Sequence, residues 1–149
     1  MNAIEISSLK KTYDNGERAL KGIDLHIEKG SFFGLLGPNG AGKTTTIGIL
    51  TGLVNKTSGD AKIMGHDIIN DYKLARKSIG LSPQEINLDV FFSIKKILTF
   101  QAGYYGIPEN IAINKVDEVL KKLNLYHKRN ETARSLSGGM KRRVQIAKA

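Results

Sequence analysis

Apolar and polar residues alternate in two runs near the N-terminus. Ile4 and Ile6 are separated by a polar neighbour, and the apolar residues of Ile23-Asp24-Leu25-His26-Ile27 alternate in the same way. A period of two is typical of strands with one buried face. Asp14-Asn15-Gly16, between the runs, is a turn sequence. Residues 1–30 are therefore predicted to form antiparallel β structure.

The alternation gives way to a continuous apolar run after Gly30. Ser31-Phe32-Phe33-Gly34-Leu35-Leu36 predicts a short buried strand, and Thr44 to Leu50 predicts a helix after it. Three shorter elements are predicted farther along: a strand over Asp60–Met64 between two glycines, a helix over Tyr72–Lys77, and an extended stretch over 78–81 that Pro83 closes.

From Ser93 onward the apolar residues recur at helical spacing. They are Ile94, Ile97, Leu98, Val116, Val119, Leu120 and Leu123. Gly106-Ile107-Pro108 is a helix breaker and divides them into two helices. A polar loop over 129–136 follows, and Met140 to Ala149 predicts a further helix that begins after Ser137-Gly138-Gly139.

Composition limits the function classes that need to be considered. The 149 residues correspond to one domain or a part of one, and the absence of cysteine excludes disulfides and thiolate chemistry. The N-terminus lacks the pattern of a signal peptide, and no apolar run reaches 18 residues, so a soluble cytosolic chain is expected. His26, His66 and His127 stand alone, without the spacing of metal ligands.

The positive charge is concentrated at the C-terminal end. Of the net charge of +9, residues 115–149 contribute ten basic against three acidic residues. Such a segment can attract nucleic acid or an anionic lipid surface. Because most of these charges lie on predicted amphipathic helices, a solvated helix face is the simpler interpretation.

The candidate chemistry lies in the segment between the predicted strand and helix. Gly37-Pro38-Asn39-Gly40-Ala41-Gly42-Lys43-Thr44 fits the phosphate-binding loop pattern G-x-x-x-x-G-K-[ST]. Glycines let successive backbone N–H groups point inward, and the positive end of the helix dipole favours an anion. Lys43 is expected to reach the β- and γ-phosphates of a nucleoside triphosphate, and the Thr44 hydroxyl to bind Mg²⁺.

This loop, the order of elements and Leu136-Ser137-Gly138-Gly139-Met140 together resemble the nucleotide-binding subunits of ATP-binding cassette (ABC) transporters. The resemblance covers essentially the whole chain and is closest to the ABC-2 type of exporter ATPase. The usual family signature is Leu-Ser-Gly-Gly-Gln. Met140 replaces the Gln here, and the Lys-Arg-Arg that follows it is common in ABC-2-like members.

The resemblance implies a set of ATP-binding and catalytic residues. Tyr13 corresponds to the aromatic residue that stacks on adenine, and Thr45 to a residue that contacts the α-phosphate. Gln84, in Ser82-Pro83-Gln84-Glu85, corresponds to a glutamine whose amide oxygen meets Mg²⁺ or the attacking water. Lys43 and Gln84 are thus the expected catalytic residues, and Thr44 and Gln84 the expected metal ligands. Without the family, Tyr13 is equally well explained as an ordinary residue at a strand end, and Gln84 is better explained as part of a polar turn after Pro83.

The signature segment implies a second subunit. Taken alone, Ser137 is a helix N-cap. In the family, Ser137, Gly138 and Gly139 correspond to residues that act in trans, closing over the γ-phosphate bound by a partner's loop. ATP and Mg²⁺ are the expected cofactors. The expected partners are a second nucleotide-binding subunit in a head-to-tail homodimer and a transmembrane permease, with Phe91-Phe92 either contacting the permease or packing in the core.

The resemblance also implies an α/β fold, that of a P-loop nucleoside triphosphatase of the ABC type. It implies an antiparallel β-subdomain and P-loop core over 1–84, an α-helical subdomain over 85–136 and the start of the signature helix over 137–149. The family places an apolar strand ending in Asp-Glu and a distant His after these elements. A truncated domain with an incomplete central sheet is therefore expected, one that binds ATP and hydrolyses it poorly or not at all.

Two other functions are consistent with the sequence. One is a soluble cassette ATPase acting on nucleic acid or the ribosome, which the basic C-terminal third favours. The other is a nucleotide-binding regulatory piece without turnover. The transporter subunit is the preferred hypothesis, with a cytoplasmic location on the inner face of the membrane through the permease and no direct contact with nucleic acid.

Overall fold

In the computed structural model, which describes residues 1–149, the N-terminal half is built on an antiparallel hairpin. Strand β1 (Asn2–Thr12) pairs with β2 (Arg18–Glu28), with Ile6 opposite Leu25. Gly16 has a φ of 83°, a left-handed conformation that glycine adopts without strain, and it completes the turn. The predicted antiparallel structure and its turn are confirmed.

Two further strands extend the sheet on the other side of β1. Strand β3 (Ser58–Ile63) pairs antiparallel with β1, and the two-residue β4 (His66–Asp67) pairs with β3, which gives the order β2-β1-β3-β4. The prediction of a strand at Asp60–Met64 is confirmed to within two residues, whereas β4 was not predicted. A strand of two residues is too short to show an alternating pattern.

Two helices pack with this sheet in the first of two compact units, Met1–Gly80. They are α1 (Lys43–Leu50) and α2 (Tyr72–Lys77), which confirms both predicted helices. The core of this unit is formed by side chains of β1, β2 and β3 together with side chains of α1 and α2. Its buried members are Ile6, Leu9, Leu20, Ile49, Leu50, Ala61, Ile63 and Ala75.

The predicted strand over Ser31–Leu36 is wrong. No strand forms there, the Phe32 side chain is fully exposed, and Leu36 is 90% exposed. The backbone of residues 32–36 makes no hydrogen bond with another backbone group. An apolar run becomes a strand only where a neighbour supplies N–H and C=O groups, and no segment of this chain does so. Residues 78–81 likewise form no strand, for the same reason.

The second unit, Leu81–Ala149, contains three main helices. They are α3 (Ile94–Tyr104), α4 (Glu109–Lys122) and α5 (Gly138–Lys148), with short 3-10 turns at Tyr126–Lys128 and Ala133–Ser135. The helical periodicity and the breaker between α3 and α4 are confirmed. The buried residues that the helices share are Ile94, Leu98, Val116, Leu120, Leu125, Leu136 and Val144.

Local signals account for the helix ends in this unit. The Ser93 hydroxyl accepts a hydrogen bond from the Lys96 N–H at the start of α3. Lys95 and Asp117 join α3 to α4 through an ion pair of 3.0 Å.

No helix combines the length and the apolar character needed to cross a membrane. The predicted division into 1–84, 85–136 and 137–149 stays a prediction.

Candidate functional site

The loop between Leu36 and α1 takes a shape that requires glycine at one position in particular. Gly42 has a φ of 87°, and a Cβ atom there would lie 2.5 Å from Leu20 Cδ2 and 2.7 Å from the Ala19 carbonyl oxygen. Both distances are shorter than real Cβ contacts. The backbone of Gly42 thus lies directly against strand β2, and the start of α1 is fixed there.

The N-terminus of α1 offers unpaired backbone donors. The first N–H of the helix with a backbone acceptor is that of Thr46, which donates to the Gly42 carbonyl at 2.8 Å. The N–H groups of Lys43, Thr44 and Thr45 therefore have no backbone partner, and no acidic residue lies in the first turn. Together with the helix dipole, these groups favour an anion at this end of α1.

The Lys43 side chain folds over the loop. Its Nζ donates to the carbonyl oxygens of Gly37 at 2.5 Å and Pro38 at 2.7 Å. These bonds hold the ammonium group against the loop that leads into α1. The arrangement has the chemical requirements of a phosphate site: convergent donors, a cation and no competing carboxylate.

The three threonines of α1 differ in their environment. Thr46 is buried, and its hydroxyl donates to the Gly42 carbonyl at 2.9 Å, so it has a structural role. Thr44 is exposed, and its hydroxyl makes no hydrogen bond. No group of three or more His, Cys, Asp or Glu side chains could hold a metal by itself. A free hydroxyl beside a phosphate site fits Mg²⁺, which is bound by a few protein oxygens together with phosphates and water.

Tyr13 lies beside the same helix terminus. Its hydroxyl is 3.4 Å from Thr45 Oγ1, and the Lys11 ammonium is 4.8 Å from the centre of the ring. The side chain is 36% exposed. The structure thus brings Tyr13 to the first turn of α1 across 32 residues of sequence. Its role in stacking on a base stays a prediction.

The other predicted site residues belong to the second unit. The Ser137 hydroxyl accepts a hydrogen bond from the Met140 N–H at 3.3 Å and caps α5, which confirms the N-cap prediction. Gly138 and Gly139 are exposed, with no other atom close to the position of a Cβ. Gln84 is exposed and lies in a segment without regular structure.

Two residues on α5 were not predicted to matter and contact the Gln84 segment directly. Arg142 Nη1 donates to the carbonyl oxygens of Pro83 at 2.5 Å and Gln84 at 3.2 Å. Gln145 Nε2 donates to Pro83 at 3.3 Å and Glu85 at 2.6 Å. The one sequence signal was Gln145 itself, a polar residue beside the buried Val144.

The loop, the helix terminus and the aromatic ring define a P-loop type of nucleotide-binding protein. The model of the ABC transporter family matches residues 20–149. The chain belongs to this family.

Relatives and solved structures agree with this assignment. The chain is 36% identical over 146 residues to Nod factor export ATP-binding protein I of Burkholderia pseudomallei, covering 98% of this chain and 48% of the relative. It is 38% identical to the linearmycin resistance ATP-binding protein LnrL of Bacillus subtilis, covering 98% and 47%. The chain therefore spans about half the length of the curated relatives it matches.

Among solved structures, the chain is similar to cbiO1 from Clostridium perfringens, described as part of the ABC transporter complex cbiONQ. The TM-score is 0.85 at 30% identity, with 99% of this chain and 60% of that chain covered. It is also similar to an ATP-binding subunit of an ABC transporter, with a TM-score of 0.81 at 25% identity and coverages of 99% and 61%. The expected fold, that of an ABC nucleotide-binding domain, is confirmed.

Proposed function

We propose that this chain forms the nucleotide-binding part of an ATP-binding subunit of an ABC exporter of the ABC-2 type. In the whole protein, ATP binding and hydrolysis drive export through a membrane partner. The observation that carries the proposal is the common location of three groups in the first unit: the Lys43 ammonium, the free N–H groups of α1 and the Tyr13 ring. Phosphate and base recognition require these groups together.

Each part of ATP then has a residue to bind it. Gly37, Pro38, Asn39, Gly40, Ala41, Gly42, Lys43 and Thr44 surround the phosphates, Thr45 contacts the α-phosphate, and Tyr13 stacks on adenine. Thr44 and Gln84 supply oxygens to Mg²⁺. When bound, the metal neutralises charge on the phosphates and orients them. Lys43 stabilises the developing charge on the transferred phosphoryl group, and Gln84 orients the attacking water.

The second subunit completes the site in this proposal. Ser137, Gly138 and Gly139 lie at the N-terminus of the 11-residue helix α5, where a hydroxyl and free N–H groups bind the γ-phosphate of ATP held by the partner's loop. The dimer is head-to-tail and depends on ATP, because the nucleotide forms part of the interface.

Exposed aromatic residues support a membrane partner. Phe91 is 78% exposed, and the Arg134 guanidinium lies 5.4 Å from its ring, so it is available for docking rather than buried in the core. Phe92 packs edge-on against Phe100 at 5.5 Å. The permease contacts this face, which places the subunit on the inner side of the membrane. Export, rather than import, is supported by the name of one relative, Nod factor export ATP-binding protein I.

Calorimetric titration of the chain with Mg²⁺-ATP and with tripolyphosphate tests the site. Lys43→Met is expected to weaken the binding of both ligands at least tenfold, because a charge-assisted hydrogen bond is worth about 1.5–3 kcal/mol. Tyr13→Ala is expected to weaken the binding of ATP by about 1 kcal/mol or more and to leave the binding of tripolyphosphate unchanged, since only ATP carries a base. Lys73→Met, which removes an exposed lysine of α2, is the control. Unchanged ATP binding by Lys43→Met would contradict the proposal.

A further inference from the structure

The segment that carries Gln84 has no backbone support of its own. Residues 81–90 form no helix or strand, and their N–H and C=O groups make no hydrogen bond with other backbone groups. Its conformation must therefore come from side-chain contacts. Three consecutive carbonyl oxygens, those of Pro83, Gln84 and Glu85, accept hydrogen bonds, and every donor is on helix α5.

The two donors are suited to hold this segment. Gln145 is 3% exposed, and both of its amide hydrogen bonds go to the carbonyl oxygens on either side of Gln84. Arg142 adds a guanidinium, whose planar group of donors can hold two acceptors at once. The Gln84 side chain remains exposed and free while its own backbone is held.

The same helix begins at the signature segment. Ser137 caps α5, and Gln145 follows eight residues later, about 12 Å along the helix axis at 1.5 Å per residue. Val144 is fully buried between these contacts and anchors α5 in the core of the unit. The phosphate-facing end of α5 and the Gln84 backbone are thus attached to one short, rigid element.

We propose that Arg142 and Gln145 are positioning residues that attach Gln84 to the signature helix, so that Ser137 and Gln84 move together as one body. The inference rests on the proposed function, since it makes the contact of Ser137 with a partner's ATP and the placement of Gln84 a single event. Arg142 and Gln145 contact neither nucleotide nor metal in this scheme. They act through the backbone of residues 83–85.

The first test measures the attachment alone, in the full-length protein. Glu85 is exposed, and a glutamate-specific protease reports how readily the chain opens at that residue. Arg142→Met/Gln145→Met, which removes all four hydrogen bonds, is expected to speed cleavage after Glu85 at least tenfold. Arg143→Met is the matched control, because Arg143 Nη1 donates at 2.8 Å to a carbonyl of a different segment, that of Leu123. Equal cleavage rates in the double variant and wild type would overturn the inference.

The second test asks whether the attachment acts through Gln84. The double variant is expected to lower kcat for ATP hydrolysis at least fivefold with an unchanged KM, because the loop and Tyr13 are intact. Combined with Gln84→Ala, it is expected to cause no further loss. A loss of the same size in the Gln84→Ala background would indicate a general defect and overturn the positioning role.

The proposed function fails in a different way. If Gln84→Ala by itself leaves kcat unchanged, Gln84 has no role in hydrolysis, and the proposed function loses that residue. The protease result is independent of this outcome. If the double variant is cleaved rapidly but Gln84→Ala leaves kcat unchanged, the contact has a structural role only, and the positioning inference is overturned.

Discussion

The two segments that carry the candidate site residues are both irregular, but they are held in different ways. The hydrogen bonds of the loop over 37–42 are local and run from Lys43 back to Gly37 and Pro38, and the apolar residues before the loop are exposed. The segment over 81–90 is held by side chains 58 to 62 residues away on α5. The hydrogen bonds of the loop thus stay within the loop and the first residue of α1, whereas those of residues 83–85 connect the Gln84 segment to another element, α5.

The largest expected effect is on the free energy of unfolding of the 149-residue chain, when a packed residue and an unpacked one are each replaced by alanine. Leu120 is fully buried in the core of the second unit, so Leu120→Ala should lower the free energy of unfolding by about 2–5 kcal/mol. Phe32 is fully exposed, and Phe32→Ala should change it by less than about 0.5 kcal/mol. Urea denaturation followed by circular dichroism measures both. A similar cost for the two substitutions would show that Phe32 is packed in solution.

A smaller difference in the free energy of unfolding is expected between alanine variants of two glycines with similar φ angles. Gly16 and Gly42 have φ values of 83° and 87°, but only Gly42 has atoms close to the position of a Cβ. Gly16→Ala is expected to cost about 1 kcal/mol from the left-handed conformation alone. Gly42→Ala should cost about 1–3 kcal/mol more, because the methyl group overlaps Leu20.

Thermal unfolding of both variants, with and without ATP, checks this difference. ATP should stabilise Gly16→Ala as it does the wild type and should stabilise Gly42→Ala less. Equal costs for the two variants would mean that β2 yields to the extra methyl group and does not fix the loop.

The smallest effect concerns a third irregular segment, the turn after β4. Hydrogen bonds to the Asp67 carboxylate, chiefly from the Asn70 N–H at 2.8 Å, lower its pKa from the usual 3.8. Because the folded pKa lies below the unfolded one, the carboxylate stabilises the fold above pH 3.8, and this stabilisation is lost as the pH falls through the lower, folded value.

Asp67→Asn, compared with the wild type by thermal unfolding between pH 3 and 7, checks this contribution. It should be less stable at neutral pH by less than about 1 kcal/mol, since the carboxylate is close to solvent. The difference should shrink as the pH falls below 3.8. A difference that grows at low pH would contradict the assigned cause.

Sequence reasoning succeeded where the determining interactions are short-range. The alternation in β1 and β2, the periodicity of α3 and α4 and the cap at Ser137 are each fixed within a few residues. It failed at Ser31–Leu36 because an apolar run specifies burial but not the partner that a strand needs.

The candidate site divides in the same way. The loop and the N-cap at Ser137 were predicted from contiguous residues, and the family resemblance supplied Tyr13, Gln84 and the role of the signature segment. The contacts of Arg142 and Gln145 with residues 83–85 were missed. They join positions about 60 residues apart through carbonyl oxygens, which every residue carries and which leave no mark in the sequence.

The β1–β2 hairpin contacts the loop and the first turn of α1 at two separate points. Tyr13, in its turn, meets Thr45, and Leu20, in its second strand, lies against Gly42. In the proposed function, the hairpin therefore sets the distance between Tyr13, which would stack on adenine, and the loop that would bind the phosphates. On that proposal, a change in the length of the turn would alter the fit of the base while leaving the contacts with the phosphates in place.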